Sequence, residues 1–358
     1  MKDFDMNKVK TAVIGLGHAG QVYHLPGLSR FDDVELAICD VNPETLQNCA
    51  EKFRVAPDRC YTDWKLMLTQ FDPEAVVLLL PQYFLKCKSN AIDIGKIYLE
   101  IIQEVLRQRR HIMVEKPLAM NLADAEMLTN AAEAAGVINM VSVNRRFAPL
   151  ITHCLQELDK VGGVLNCDCH FYKCWRPEKN IPGVYLDRLT SDMMHALDLL
   201  RYIGGDIRNF YPKVQRTAED EVPTAFFAMA DFASGATGYF SANGRVGGRV
   251  QQWNLHGDGV SCYIIDEFDP YDPKQATGMR MRARIVRRSS FDVELIRDID
   301  LADSSNLADY CGFSAADRYF IDCVKNGQMP HCNFADQLKT IRYCFDILKS
   351  PLVVTGEY

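Results

Sequence analysis

The chain has 358 residues, 48% of them hydrophobic and 24% charged, which is the composition of folded domains and length enough for two of ordinary size. A formal net charge of −7 offers no basic face to nucleic acid. No apolar run reaches the ~20 residues of a membrane span, since the most hydrophobic stretch, from Ala75 to Pro81, is far shorter.

The polar start, MKDFDMNKVK, does not read as a signal peptide, and it leads into a β-prone run, Val9 to Ile14. That run breaks into Gly15-Leu16-Gly17-His18-Ala19-Gly20 and continues into a segment of helical character. Glycines at this spacing between strand and helix fit a dinucleotide turn. Gly15 permits the tight turn, Gly17 lets backbone amides approach a pyrophosphate, and Gly20 lets the helix pack on the strand. The helix N-terminus then offers unpaired N–H groups and its dipole to the phosphates. His18 is read as lining the loop and His24 as structural. The next strand, Val34 to Cys39, ends at Asp40, placed to accept hydrogen bonds from ribose hydroxyls and to repel a 2′-phosphate. No arginine follows it closely, so NAD is favoured and NADP less so.

Asn42 and Pro43 cap and open a helix to Phe53. Pro73 to Leu80 reads as a strand buried on both faces, and Ile92 to Arg110 as a long helix whose terminal arginines offset the dipole. His111 to Val114 is a strand that ends in Glu115-Lys116-Pro117. A helix from Ala123 to Ala135, closed by Gly136, and a strand from Val137 to Val143, closed by Asn144-Arg145-Arg146-Phe147, follow. Strand and helix alternate throughout, so the fold class is α/β, beginning with a doubly wound parallel sheet. The domain is drawn over 1–146. Lys116, after a buried strand, stands at the edge where such sheets place ligands.

From Val164 to Lys173 the pattern alternates, and strands are expected at Phe210–Arg216, Ala225–Phe232, Ala236–Ser241, Val250–His256, Ser261–Asp266 and Met281–Arg288. This predicts a second, α+β domain over 147–358 with a large, mostly antiparallel open sheet, its C-terminal helix packing back towards the first domain. One face of such a sheet is left to solvent or a partner subunit. Arg280, Arg282 and Arg284 alternate on one strand face, which reads as a solvated or subunit-facing surface, or as an anionic-ligand site. The thirteen cysteines point to reduced thiols in a cytoplasmic setting. Cys167 and Cys169 alternate on one strand face beside Cys174 and His170 without a second ligand pair, so no structural metal is expected.

The segment Asp192 to Tyr202 is helical with an apolar stripe. His195 on it is either a core histidine or a proton acceptor that Asp192 and Asp198, three residues to either side, orient. Trp175, Arg176 and Tyr185 lie in a link before that helix, suited to a sugar ring or to a plain surface loop.

The ordered set Gly15-x-Gly17-x-x-Gly20, Asp40, Glu115-Lys116-Pro117, Asn144-Arg145-Arg146-Phe147-x-Pro149 and Asp192-Met193-Met194-His195 resembles the glucose–fructose oxidoreductase/inositol dehydrogenase (Gfo/Idh/MocA) family. Phe232–Ala236, His256–Gly259, Asp317–Gly327 and Phe334–Lys349 resemble its turns and closing helices, so the likeness covers nearly the whole chain. The resemblance implies hydride transfer between NAD and a secondary alcohol of a sugar or cyclitol. Lys116, His195 and Asp192 would be catalytic. Gly15, Gly17, His18, Ala19, Gly20, Asp40, Pro81, Glu115, Lys116, Asn144 and Arg145 would hold the cofactor. Lys116, Asn144, Trp175, Arg176, Tyr185, Asp192 and His195 would meet the substrate. It also implies a homodimer or homotetramer through the open sheet face. Relatives include redox-assisted glycoside hydrolases and non-catalytic NAD-binding regulators, and both stand as alternatives. Two departures stand out. Ser191 occupies the place of the usual Asp, four before the histidine. The segment from Pro81 to Tyr98 is longer than usual, and Tyr98 stands where a histidine is common, in a loop bordering the nicotinamide half of the site.

Overall fold

A computed structural model describes residues 8–80, 85–86, 91–92, 94–174, 188–218, 222–267, 280–288, 293–300 and 307–355. By compactness the chain divides into two units, Met1–Asn144 with Leu307–Lys339, and Arg145–Asn306 with Thr340–Tyr358. Of the expected site residues, Pro81, Trp175, Arg176 and Tyr185 lie outside the described residues.

The first unit is built on β1 (Val9–Ile14), α1 (Leu25–Leu28), β2 (Val34–Cys39), α2 (Pro43–Phe53), β3 (Cys60–Tyr61), α3 (Trp64–Gln70) and β4 (Ala75–Leu78). A two-strand ribbon, β5 (Leu85–Lys86) and β6 (Ala91–Ile92), leads to α4 (Ile94–Arg107), β7 (His111–Glu115), α5 (Leu122–Ala135) and β8 (Asn139–Ser142). Six strands pair in parallel in the order β3-β2-β1-β4-β7-β8. Ala75 to Leu78 is buried throughout, as a strand covered on both faces requires. Asn42 caps α2 by accepting from the N–H groups of Glu44 and Thr45, with Pro43 at the first helical position. Gly136 ends α5 in the left-handed region at φ 65°. Arg110 differs from its expected role: its guanidinium donates to Leu68 and Pro73 carbonyls and pairs with Asp72, pinning the turn before β4. After β1 the order reverses between β1 and β4. This topological switch point is where open α/β sheets bind ligands beyond the strands' carboxyl ends.

The second unit contains α6 (Pro149–Asp159), β9 (Asn166–Lys173), α7 (Met194–Gly204), β10 (Ile207–Thr217), β11 (Ala225–Phe232), β12 (Thr237–Asn243) and β13 (Arg249–Gly257). It continues with β14 (Val260–Glu267), β15 (Arg280–Arg288) and β16 (Val293–Asp300). Helices α8 (Leu307–Tyr310) and α9 (Phe313–Asn326) return to the first unit, and α10 (Phe334–Lys349) precedes β17 (Leu352–Thr355) of the second. The sheet has nine strands in the order β16-β15-β14-β13-β9-β12-β11-β10-β17, antiparallel except for β9 with β12 and β10 with β17. Helices α6 and α7 cover one face. Cys167, Cys169 and Phe171 alternate into that core, and burial pushes the Cys167 thiol up to about 12. Arg282 shares the uncovered face with Arg284, which pairs with Asp298 at 3.0 Å. Among the described residues no helix is long and apolar enough to cross a membrane.

Candidate functional site

The first unit gathers its chemistry at the carboxyl edge of the parallel sheet. Gly15 has φ +94°, and a Cβ there would stand 2.9 Å from Leu80 Cδ2 and 3.2 Å from the Leu79 backbone. A Cβ on Gly20 would meet the Gly15 carbonyl oxygen at 2.8 Å, so the helix can approach the strand only without a side chain there. Gly17 differs, because nothing lies within 4 Å of the point where a Cβ would stand. That open space beside the first helical turn is what a pyrophosphate needs in order to reach backbone N–H groups. The helix starts with the Gln21 N–H donating to the Gly17 carbonyl, while the Gln21 side chain donates to Leu16 O at 2.6 Å. Residues Gly20–His24 form a π turn within it. His18 is exposed and rests edge-on against Tyr23, which stacks on Phe313 at 4.4 Å.

Asp40 half-emerges at the end of β2. One carboxylate oxygen accepts from Leu16 N–H at 2.8 Å and the other from Asn42 N–H at 2.9 Å. Each oxygen has lone pairs left for ribose hydroxyls. The residue therefore both fastens the glycine turn and offers a fixed acceptor beside it. The residues present thus fit a dinucleotide.

At the end of β7, Glu115 and Lys116 are half-buried. Glu115 Oε2 accepts from the Lys116 backbone N–H at 3.1 Å, and Glu115 Oε1 from His24 Nε2 at 3.0 Å. The other ring nitrogen of His24 reaches Asp317 Oδ1, on α9, at 2.7 Å. Burial would lower the pKa of the fully buried ring, but the charge and hydrogen bond of Asp317, then those of Glu115, raise it to about 10. His24 is therefore an imidazolium clamped between two carboxylates. The sequence shows no local sign of this, because Asp317 lies 293 residues away. Burial pushes the Asp317 carboxyl up, with the His24 charge opposing.

Tyr98 stands in helix α4, within the helix expected from Ile92 to Arg110. It is buried, and its hydroxyl donates to Leu118 O at 3.3 Å and Pro117 O at 3.5 Å. It supports the Lys116–Pro117 segment from behind. Asn144, at the end of β8, is 3% exposed, and its amide donates to the Cys311 carbonyl at 2.7 Å. That ties it to the turn between α8 and α9, a contact its expected cofactor and substrate role did not include.

In the second unit a π turn, Leu189–Met193, delivers Asp192 and then His195 at the start of α7. The helix is anchored by Met194, Leu197 and Leu200, each fully buried, while His195 keeps 9% exposure. Asp192 Oδ2 pairs with Lys173 Nζ, at the end of β9, at 2.6 Å. Asp198, a candidate to orient His195, also meets a buried arginine. Both of its oxygens bind the Arg146 guanidinium, at 2.6 and 2.8 Å, and the Thr340 hydroxyl adds a third bond at 3.0 Å. It is the counter-charge of a buried arginine. Arg145, expected at the cofactor, belongs to this unit. It pairs with buried Asp266 at 3.0 Å and lies 5.7 Å from the Trp253 ring.

Residues 9–144 match the Gfo/Idh/MocA family model, described as "Oxidoreductase family, NAD-binding Rossmann fold". Myo-inositol 2-dehydrogenase of Thermotoga maritima is 30% identical over 140 residues, which are 39% of this chain and only 37% of that protein's length. D-apiose dehydrogenase of Paraburkholderia graminis is 23% identical over 352 residues, 94% of this chain and 86% of that one. A levoglucosan dehydrogenase solved with NADH and L-sorbose superposes with a TM-score of 0.71 at 17% identity, covering 96% of each chain, which shows a shared fold.

Proposed function

From a chain whose residues 9–144 match the Gfo/Idh/MocA oxidoreductase family model, we propose an NAD(H)-dependent oxidoreductase that acts on a secondary alcohol, or its ketone, of a sugar, cyclitol or sugar derivative. The observation that carries this reading is the single sheet edge that bears the open Gly17 turn, Asp40 and Lys116. When bound, NAD supplies the hydride acceptor. Lys116 donates a hydrogen bond to the substrate oxygen and stabilises negative charge as it develops there. His195 takes the hydroxyl proton as the carbon gives up its hydride, leaving a ketone. Asp192, hydrogen-bonded to Lys173, orients the alcohol. The relatives named for inositol, apiose and levoglucosan support a polyol as substrate.

Asp40 makes NAD the preferred cofactor. Asp40→Ala is expected to weaken NAD binding by about 10–100-fold, the loss of charge-assisted hydrogen bonds, and to narrow the gap to NADP. Titration calorimetry with both nucleotides measures it, and equal wild-type affinities for the two would remove the preference.

The uncovered sheet face is assigned to self-association as a dimer or tetramer. Strand register places Tyr211, Met229 and Tyr239 in one row, with Tyr263 further along it, and Tyr211 and Met229 are 57% and 53% exposed. Tyr211→Glu with Met229→Glu is expected to shift the sedimenting species to monomer. An unchanged mass would place the interface elsewhere.

A further inference from the structure

The covered face of the nine-stranded sheet carries a cationic pair that the proposed reaction does not use. Lys173 and Arg249 are directly opposite one another across the antiparallel β9–β13 ladder. Lys173 has the parity of buried Cys167, Cys169 and Phe171, and Arg249 that of buried Gln251, Trp253 and Leu255, so both point to the side on which α7 lies. Like charges facing each other on adjacent strands destabilise a sheet unless something neutralises them. Lys173 has Asp192, at 2.6 Å. The nearby Asp266, across from Gln251 on β14, already pairs with Arg145. Among the described residues no hydrogen-bond or ion-pair partner meets the half-buried Arg249 guanidinium. Gln251, one pleat further along, is 1% exposed, and its side-chain oxygen is without a donor among the described residues. The carboxylate that neutralises Lys173 lies three residues before His195, so the surplus positive charge adjoins the segment assigned to the substrate.

We propose that the substrate is an anionic polyol, a sugar or cyclitol bearing a carboxylate or phosphate, and that Arg249, with Lys173 beside it, binds that anionic group. The inference rests on the reading of the His195 segment as a polyol site. It adds the charge of the substrate, which nothing in the hydride chemistry requires. A planar guanidinium presents paired N–H donors to either oxyanion, and Lys173 adds a point charge that Asp192 holds in place.

The test is titration calorimetry of the NAD-loaded protein with D-glucuronate, D-galacturonate and D-mannuronate, each beside its neutral parent sugar and the corresponding 6-phosphate. The expected result is an acid or a phosphate bound about 10–100-fold more tightly than its neutral parent, the effect of one charge-assisted contact. Which of the two anions is preferred identifies the group. Arg249→Gln abolishes the preference, Arg249→Lys keeps part of it, and Arg208→Gln, at an exposed site on β10, leaves it intact. A panel showing no anion preference, or a preference that survives Arg249→Gln, overturns the proposal. Arg249-dependent binding without any NADH formed would leave the anion site standing and count against the oxidoreductase reading instead.

Discussion

Lys116→Ala is expected to lower turnover by about 10²–10⁴-fold while leaving NAD affinity unchanged, and His195→Ala to do the same. Lys116 closes a buried strand at the ligand edge of the sheet, and its backbone is held by Glu115 and backed by Tyr98, so removing the side chain leaves the segment in place. Its ammonium would act on the substrate oxygen, not on the nucleotide. His195 is carried by a helix whose neighbours are fully buried, so truncation at a residue that keeps 9% exposure leaves the helix anchored. Steady-state NADH formation read beside calorimetric NAD binding separates chemistry from cofactor capture. Full turnover in either variant would strip that residue of its role. Weakened NAD binding would mean that Lys116 is a nucleotide contact.

The second large effect is on stability. His24→Ala removes the charge between Asp317 and Glu115 and leaves two carboxylates facing each other, one of them fully buried. Breaking a buried pair on one side costs about 3–5 kcal/mol, here in the first unit. The pH dependence follows from the direction of the shift. The folded pKa of His24 is raised from 6.5 to about 10, so its contribution is fully present below 6.5 and is lost as the pH rises through about 10. Denaturant unfolding should therefore show the gap between wild type and His24→Gln at its full width up to about pH 6.5, narrowing from there and closed by about pH 10. A gap that grows with pH would mean that the ring is buried neutral. Because Glu115 immediately precedes Lys116, turnover of His24→Gln should also fall under conditions where the variant remains folded.

Much of the fold is legible in the sequence because its signals are local. The strand, glycine turn and helix from Val9 onward, Asp40 at a strand end, and Asn42-Pro43 opening α2 each lie within a few residues, and each forms as its chemistry requires. Cys167 and Cys169 show their inward face by simple alternation. What escapes is set by distance or by weak periodicity. Helix α6 and strands β16 and β17 are absent from the elements expected of the sequence. In β17, Leu352 to Val354 are all exposed, so no alternation marks them. The site shows the same division. The motif containing Asn144 and Arg145 is visible in the sequence, but their partners Cys311 and Asp266 are not. His24 reads as structural because Glu115 and Asp317, which give it its charge, are 91 and 293 residues away.

Hydride transfer to NAD is tested most directly by the stoichiometry of one reaction. Wild-type protein mixed with NAD and a panel of sugars, cyclitols and their acids, with NADH absorbance and ketone product followed together, should form one NADH for each ketone with at least one member, and Lys116→Ala should slow both together by about 10²–10⁴-fold. Nucleotide bound without NADH from any member would contradict the account and favour a regulator. A glycoside cleaved with no net NADH would contradict it in favour of transient oxidation.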